Sequence, residues 1–252
     1  MIFAIDLGNT NIKLGIVRDK DHIIEERINT IHNKTSFEYA EHIDNLLKIY
    51  GTDKSDFEGI IMSSVVPPLT AVLSTAVNKV FGRRPLIVTN KVKTEVVFPE
   101  PVGADLVVAA EAAWSLYHKP CIIVSMGTAT TITAVDRDGV FRGGMILPGM
   151  KTSLSALSQG TAMLPEISLG KPGNALSFDS DECMRSGIIY GNAGQIDALC
   201  GRIEKELGYE CKTIATGGMA RFCAAYCSRP VKLRNSLLML GLMRIYEENI
   251  RA

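Results

Sequence analysis

Two short turns rich in glycine, asparagine and threonine contain most of the residues in this sequence that could bind a phosphate. Glycine leaves backbone N–H groups uncovered, and amide and hydroxyl side chains add neutral donors around them. Either turn, taken alone, is equally well explained as a polar turn between two strands. The candidate phosphate contacts are Gly8, Asn9, Thr10 and Asn11 in the first turn, and Gly127, Thr128, Ala129, Thr130 and Thr131 in the second.

Two charged side chains flank the first turn. Asp6 comes just before it, and a lone carboxylate of this kind often holds a hydrated Mg²⁺ beside substrate phosphates. Lys13 follows the turn and could reach a phosphate oxygen. The alternative for Lys13 is an exposed side chain on a hairpin.

A further candidate is Asp105, at the start of a predicted helix in Gly103-Ala104-Asp105. The helix dipole favours the ionised carboxylate at that position. An ionised aspartate near the terminal phosphate of a nucleotide could accept the proton of a substrate hydroxyl. Helix capping, which aspartate does well, is the alternative that the residue types alone favour.

The glycine pair Gly217 and Gly218 ends a predicted strand and precedes a predicted helix. Bare backbone at this point could lie against the adenine or ribose of a nucleotide. It could equally well only allow tight packing at the start of the helix. The residues themselves leave both alternatives open.

Several other motifs of catalysis are absent from the sequence. Residues 144–152 approach the pattern of a P-loop, but Met150 separates Gly149 from Lys151. No G-x-G-x-x-G follows a strand, no G-x-S-x-G or H-E-x-x-H occurs, and the four histidines are scattered. The six cysteines include no close C-x-x-C pair, so we expect buried, reduced thiols.

Composition excludes further classes of protein. Lys and Arg total 27, as do Asp and Glu, so the formal net charge of the 252-residue chain is zero. A general nucleic-acid-binding protein usually has a basic field. No apolar run reaches the roughly 20 residues that span a bilayer, and the N-terminus lacks the features of a signal peptide. We therefore expect a cytoplasmic protein with no nucleic-acid or membrane partner.

The two turns lie in similar segments about half a chain apart. Each joins an apolar run to a returning run, which predicts two hairpins at an offset of 119 residues, with Gly8 opposite Gly127. A further strand and turn follow each hairpin, the second turn at Gly143-Gly144. Such a repeat suggests a nucleotide held between two similar domains, at residues 1–118 and 119–252.

Strands and helices alternate along the rest of the chain, which predicts an α/β protein. Helices are predicted over residues 36–50, 69–80, 104–116, 151–159, 181–207 and 235–250. Strands are predicted over residues 2–5, 12–17, 23–27, 59–64, 85–88, 121–124, 132–135, 140–141 and 212–215.

In their order and spacing these motifs resemble those of type III pantothenate kinases, members of the actin-like, acetate and sugar kinase superfamily. Residues 6–13 are similar to the family's first phosphate motif and residues 127–131 to its second. Residues 103–105 match the motif that contains the proposed catalytic base. Further matching segments are residues 63–67, 143–144, 148–149, 161–165, 185–187, 190–191 and 216–218.

This resemblance implies two tandem ribonuclease-H-like (actin-like ATPase) domains with ATP in the cleft between them, and a homodimer. It implies transfer of the γ-phosphoryl group of ATP to the primary alcohol of pantothenate, the first step of coenzyme A biosynthesis. Asp105 would be the catalytic base, Asp6 would hold Mg²⁺ through water, and Gly217 and Gly218 would flank the adenosine. Many members of the family also need a monovalent cation such as K⁺ or NH₄⁺.

The departures from the family pattern cluster where the resemblance places pantothenate and the monovalent cation. Ser125 replaces an aspartate at the cation position, so we expect little dependence on K⁺. Leu106 replaces an arginine that helps to hold the pantothenate carboxylate. Apolar side chains also replace polar groups at Val97, Phe98 and Phe178, as if to line a remade pocket. The candidate substrate-binding residues are Val96, Phe98, Gly103, Ala104, Leu106 and Ser180.

Three functions therefore stay open. The chain is a pantothenate kinase that holds its substrate differently, a kinase of the same fold for another small alcohol or nucleoside, or a non-catalytic paralogue that partners an active subunit. The loss of one charge-assisted hydrogen bond costs about 1.5–3 kcal/mol, which is enough to change the preferred acceptor.

Overall fold

The computed structural model describes residues 1–250, which form two compact units. The first unit comprises Met1–Ser115 and the C-terminal segment that begins at Ser236, and the second comprises Leu116–Asn235. The second unit thus begins three residues before the predicted start of the second domain, and the last helix belongs to the first unit. The two predicted domains, residues 1–118 and 119–252, stay a prediction.

The strands are β1 (Ile2–Leu7), β2 (Asn11–Val17), β3 (Ile23–Asn29), β4 (Gly59–Ser64), β5 (Leu86–Ile87), β6 (Cys121–Met126), β7 (Ala129–Val135), β8 (Phe141–Pro148), β9 (Lys212–Thr216) and β10 (Val231–Leu233). The helices are α1 (Ser36–Ile49), α2 (Pro67–Phe81), α3 (Ala104–Tyr117), α4 (Met150–Gly160), α5 (Ser180–Leu207), α6 (Ala220–Cys223) and α7 (Leu237–Ile250). Single 3₁₀ turns lie at Lys54–Asp56 and Ala224–Tyr226. Along residues 1–250, no helix combines the length and the apolar composition needed to span a bilayer.

Each unit contains one mixed five-stranded sheet, and the two sheets share one topology. The order is β3-β2-β1-β4-β5 in the first sheet and β8-β7-β6-β9-β10 in the second. In both sheets the first three strands are antiparallel neighbours, and the last two strands run parallel to the central one. The predicted α/β class and the internal repeat are therefore confirmed, and each unit has the ribonuclease-H-like arrangement.

The register of the hairpins refines the predicted offset. Ile2 pairs with Val17 in the first hairpin, and Cys121 pairs with Val135 in the second. The outgoing strands thus match at an offset of 119 residues, but the returning strands match at 118, because the second turn is one residue shorter. Thr131, and not Ile132, consequently holds the position that Lys13 holds in the first hairpin.

Helices cover both faces of the first sheet. The apolar residues of α1 and α2 pack on one face in a single core cluster with the side chains of β1, β2 and β4. On the other face, α7 approaches so closely that a β-carbon at Gly15 would lie 2.3 Å from the Met239 sulfur. A β-carbon at Gly59 would likewise overlap the Tyr246 ring. These two glycines therefore allow α7 to dock.

The core of the second unit contains three of the six free cysteines. Cys121, Cys200 and Cys223 are buried, and burial raises the pKa of the Cys121 thiol to about 12, so that it stays protonated and unreactive. The expectation of buried thiols is wrong for Cys183, which is exposed.

The local predictions differ from the structure mainly after the second hairpin. Gly143 and Gly144 lie within β8 and do not form the predicted turn. Gly143 has a φ of +82°, and a β-carbon at Gly144 would lie 2.2 Å from the carbonyl oxygen of Ile132. The glycine pair therefore lets β8 follow β7 closely around a register shift between Thr133 and Val135.

Candidate active site

The first glycine turn connects β1 to β2 and is braced from outside the hairpin. The N–H of Gly8 donates to the carbonyl of Asn11 at 3.1 Å, which closes the turn. Thr30, just after β3, donates its hydroxyl to the carbonyl of Gly8 at 2.7 Å and its N–H to the carbonyl of Thr10 at 3.0 Å. The turn is thus fixed while the side chains of Asn9, Thr10 and Asn11 stay exposed.

Three side chains cross the first sheet beside this turn, and we call them the charged row. Asp6 on β1 is in register with Lys13 on β2 and with Ser63 on β4, so all three lie on one face. The hydroxyl of Ser63 donates to Oδ1 of Asp6 at 2.9 Å, and Nζ of Lys13 lies 3.3 Å from Oδ2. Lys13 is therefore paired and largely buried, and the alternative of an exposed lysine is wrong.

The charged row also affects Asp105, near the start of α3. Burial raises the pKa of the Asp105 carboxyl, and the negative charge of Asp6 raises it further. Hydrogen bonds from the N–H groups of Leu106 and Asp105, and the charge of Lys13, lower this pKa by less. The helix start thus favours ionisation as expected, but burial outweighs it. A carboxylate with a raised pKa is a stronger proton acceptor.

The hydrogen bonds at the start of α3 place the N-cap at Gly103 and not at Asp105. The carbonyl of Gly103 accepts from the N–H groups of Leu106 at 3.0 Å and Val107 at 3.1 Å, which makes Gly103 the capping residue. A β-carbon at Gly103 would lie 2.8 Å from Oδ1 of Asp105. Gly103 therefore leaves space for the Asp105 carboxylate, which belongs to the first turn of the helix and is not its cap.

The second glycine turn, in the second unit, is braced in the same way. The N–H of Gly127 donates to the carbonyl of Ala129 at 3.0 Å. The carbonyl of Thr128 accepts from the N–H of Gly149 at 3.1 Å and from the hydroxyl of Thr152 at 2.7 Å. Thr30 and Thr152 thus have equivalent functions, since each follows the third strand of its unit and fixes the glycine turn.

A row of hydroxyl side chains in the second sheet corresponds to the charged row. Ser125 on β6 is in register with Thr131 on β7 and Thr216 on β9. Thr130 pairs with Met126 and lies on the opposite face, where its side chain is buried in the core. Of Thr130 and Thr131, both of which are predicted phosphate contacts, only Thr131 therefore lies on the face that corresponds to Asp6 and Lys13.

The glycines of the site differ in what the fold requires of them. Gly127 has no positive φ, and the nearest atom to a β-carbon there would be 3.7 Å away. The fold alone therefore does not require glycine at 127. Gly217 has a φ of +93°, and a β-carbon there would lie 2.4 Å from the carbonyl oxygen of Met126. Tight packing therefore explains Gly217 even without a nucleotide.

A cavity of about 470 Å³ in the second unit is lined in part by residues that follow Gly217 and Gly218 in the chain. Met219, Arg221 and Phe222 line one side of it, and the Arg221 guanidinium lies 4.8 Å from the centroid of the Phe222 ring. Lys151, Leu154 and Ser155 of α4 line another side. Its size and its mixture of apolar and polar side chains suit an aromatic base with a sugar.

The predicted substrate-binding residues differ in burial and belong to different units. Val96 is 2 % exposed and belongs to the interior. Phe98 is half-buried and lines a cavity of about 320 Å³ with Pro101 and Val102 in the first unit. Ser180, at the start of α5 in the second unit, is exposed. The remaining candidates, Gly103, Ala104 and Leu106, surround Asp105 in the sequence, and Phe178 and Val97 are exposed.

Five residues of these sites are missing from the predicted set of contacts: Thr30, Ser63, Glu111, Gly149 and Thr152. Glu111 is fully buried in α3 and accepts from the N–H groups of Glu95 and Val96, each at 3.1 Å. Burial raises the pKa of the Glu111 carboxyl, against those two bonds. A charged residue within the apolar face of a predicted helix was the available signal for Glu111.

The side chains of the candidate site can be compared with the ligands that a metal ion requires. Within residues 1–250, no group of three or more His, Cys, Asp or Glu side chains is placed to hold a metal. A single buried carboxylate fits Mg²⁺, which takes one or two carboxylates and completes its shell with phosphates and water. Asp6 is the residue of the charged row that meets this description.

Comparisons with a family model and with solved structures show which proteins this chain is similar to. A family model described as type III pantothenate kinase matches residues 2–202. A protein of Campylobacter jejuni assigned to the Baf family of transcriptional activators is 20% identical, with a TM-score of 0.58, and 99% of this chain and 100% of that chain are covered. The inorganic polyphosphate/ATP-glucomannokinase of an Arthrobacter strain is 14% identical, with a TM-score of 0.52 and coverage of 100% and 99%. The ROK hexokinase of Thermus thermophilus is 13% identical, with a TM-score of 0.53 and coverage of 98% and 99%. At these identities the likeness to solved structures concerns the fold.

Proposed function

The chain belongs to the type III pantothenate kinase family, and on that premise we propose that it transfers the γ-phosphoryl group of ATP to the primary alcohol of pantothenate. This reaction would open coenzyme A biosynthesis. The observation that carries the proposal is the partly buried Asp105 carboxyl, whose pKa is raised beside the charged row. A proton acceptor, a carboxylate that can hold Mg²⁺ and a lysine that can reach a phosphate are groups that phosphoryl transfer to an alcohol uses.

In the proposed mechanism Asp105 orients the acceptor hydroxyl and takes its proton. The alcohol oxygen then bonds to the γ-phosphorus, the bond from that phosphorus to the β–γ bridging oxygen breaks, and ADP leaves with the electron pair. Little covalent chemistry falls to the protein, so positioning and charge neutralisation contribute most of the rate. Asp105 has a raised pKa, which makes it a better proton acceptor than an exposed aspartate.

Each glycine turn is proposed to contact phosphate groups of ATP. In the first, the contacts are Gly8, Asn9, Thr10, Asn11 and Lys13, and in the second they are Gly127, Thr128, Ala129 and Thr131, without Thr130, whose side chain is buried in the core. Asp6 would hold Mg²⁺ through water, and the ion when bound neutralises charge on the phosphates. The cavity lined by Met219, Arg221 and Phe222, which follow Gly217 and Gly218 in the chain, would take the adenosine.

The acceptor side is where this chain differs from its family. Leu106 offers no donor to a carboxylate, and the cavity lined by Phe98 includes Glu100 but no lysine or arginine. These two observations favour the second candidate function, a kinase of the same fold that acts on a small alcohol or nucleoside without a carboxylate. A homodimer, a cytoplasmic location and a rate independent of K⁺ stay part of the proposal, the last because of Ser125.

The test is a kinase assay with Mg-ATP against pantothenate and a panel of neutral alcohols and nucleosides, with phosphorylated product identified by mass spectrometry. Asp105→Asn is the matched control for background hydrolysis. Turnover of pantothenate supports the first candidate, and turnover of another acceptor supports the second. Nucleotide binding without any phosphorylated product would contradict both and favour a non-catalytic paralogue.

A further inference from the structure

Ser63 is the one member of the charged row to which neither the sequence motifs nor the proposed mechanism gives a role. We propose that Ser63 is a positioning residue, which fixes the Asp6 carboxylate in the orientation that accepts hydrated Mg²⁺. The inference rests on the proposed function, because it concerns the metal that would accompany ATP. The residue would act through Asp6 and would not touch the nucleotide.

The geometry leaves one direction for the hydrogen bond between these residues. Ser63 is 1 % exposed and Asp6 is 8 % exposed, so neither group exchanges freely with water. Asp6 forms an ion pair with the Lys13 ammonium, and an ionised carboxylate only accepts hydrogen bonds. The Ser63 hydroxyl must therefore be the donor over the 2.9 Å between its oxygen and Oδ1 of Asp6.

The two neighbours of Asp6 hold the carboxylate from opposite sides. Ser63 on β4 occupies Oδ1, and Lys13 on β2 occupies Oδ2, because both strands flank β1 in register with Asp6. Each carboxylate oxygen can accept about two hydrogen bonds, so each retains capacity for a water molecule of a metal ion. Without Ser63, Lys13 alone would set the rotation of the carboxylate, and Oδ1 would lose its fixed direction.

Two comparisons within the chain separate this role from general packing. The adjacent Ser64 also has a hydroxyl, but that hydroxyl contacts Thr70 Oγ1 at 2.7 Å and the N–H of Val66 at 3.2 Å, at the start of α2. Ser64 therefore supports the fold without contact to Asp6. In the second sheet Thr216 occupies the position of Ser63, next to Ser125, where no carboxylate is present to be oriented.

The experiment measures metal binding directly and needs no acceptor. Mn²⁺ affinity in the presence of ADP is followed by electron paramagnetic resonance for the wild type, Ser63→Ala, Ser63→Thr and Ser64→Ala. Removal of a group that orients a metal-binding carboxylate typically weakens metal affinity about 10–100-fold. We expect that loss for Ser63→Ala only, recovery in Ser63→Thr, and unchanged affinity for metal-free ADP in all variants.

Wild-type Mn²⁺ affinity in folded Ser63→Ala, or an equal loss in Ser64→Ala, would overturn the inference. If Ser63→Ala fails to fold, Ser63→Cys replaces it, since a thiol has similar size and is a weaker donor. Affinity equal to the wild type in Ser63→Cys would then count against the role. Absence of metal and ADP binding in the wild type would instead overturn the proposed function itself.

Discussion

Replacing Lys13 by methionine removes the ammonium group beside Asp6 and keeps most of the length of the side chain. The charged atoms are 3.3 Å apart, and the two side chains are 14% and 11% exposed. At that distance two unit charges attract by about 5 kcal/mol at an effective dielectric constant of about 20. Desolvation offsets part of this, and Ser63 still donates to the carboxylate. We therefore expect the free energy of unfolding to fall by about 3 kcal/mol.

The assay uses the single tryptophan of the chain. Trp114 is half-buried in α3 of the first unit, so its fluorescence reports the unfolding of that unit in urea. Lys13→Met, Asp6→Asn and the double variant form a double-mutant cycle. We expect a coupling energy of about 2–3 kcal/mol, and a double variant that is more stable than Lys13→Met alone.

An exposed ion pair in the same unit supplies the control. Lys48 and Asp44 lie in α1 with side chains 70% and 50% exposed, so Lys48→Met should change the free energy of unfolding by less than about 0.5 kcal/mol. A coupling below about 0.5 kcal/mol between Lys13 and Asp6, or equal effects of the two lysine substitutions, would refute the reasoning that the charged row is a buried, interacting pair.

Three further predictions concern the site itself. Asp105→Asn should keep nucleotide affinity and lower turnover by about 10²–10⁴-fold; it should also stabilise the protein at neutral pH, because the pKa of Asp105 is raised on folding. At pH values between the unfolded-state and folded-state pKa of Asp105, the folded wild type binds one more proton than the unfolded chain, so the stability of the wild type falls as the pH rises through that range. Above that range the melting temperature of Asp105→Asn should exceed that of the wild type. Equal melting temperatures there would contradict this prediction. The free energy of unfolding of Gly127→Ala should lie within about 0.5 kcal/mol of the wild-type value, because a β-carbon fits at this position. Its affinity for ADP, measured by calorimetry, should be about tenfold weaker. An unchanged affinity would show that this turn does not contact the phosphates. Equal initial rates in KCl and NaCl at one ionic strength are expected from Ser125, and a large gain in KCl would show a monovalent-cation site.

The sequence predicts local structure better than it predicts which residues face each other on neighbouring strands. Alternating residues predict the hairpins and the repeat, and the polar turns mark where they reverse, because these signals depend on neighbours in the chain. The shorter second turn is a one-residue difference that the offset of 119 does not reveal. It decides whether Thr131 or Ile132 faces Ser125, so the composition of the hydroxyl row had to come from the register.

The same contrast between local signals and distant contacts holds for the residues of the candidate active site. Asp6, Lys13 and Asp105 stand out by charge within apolar or turn segments, and the structure places them in one unit. Thr30 does not stand out, and Ser63 stands out only as part of a matching segment without a role, because their roles arise from contacts with residues 22 and 57 positions away. No propensity or spacing rule connects such distant residues, which explains why the supporting hydroxyls could not be predicted.

The position of α7 has a consequence for how the chain folds as it is synthesised. Helix α7 completes the covered face of the first sheet, yet the 120 residues of Leu116–Asn235 are translated before it. At about 5–20 residues per second, the first unit waits roughly 6–24 s with its Gly15 and Gly59 face open. The N-terminal half emerges first from the ribosome but is the second to be finished, so a nascent chain stopped before Ser236 should contain a folded second unit and an incomplete first one.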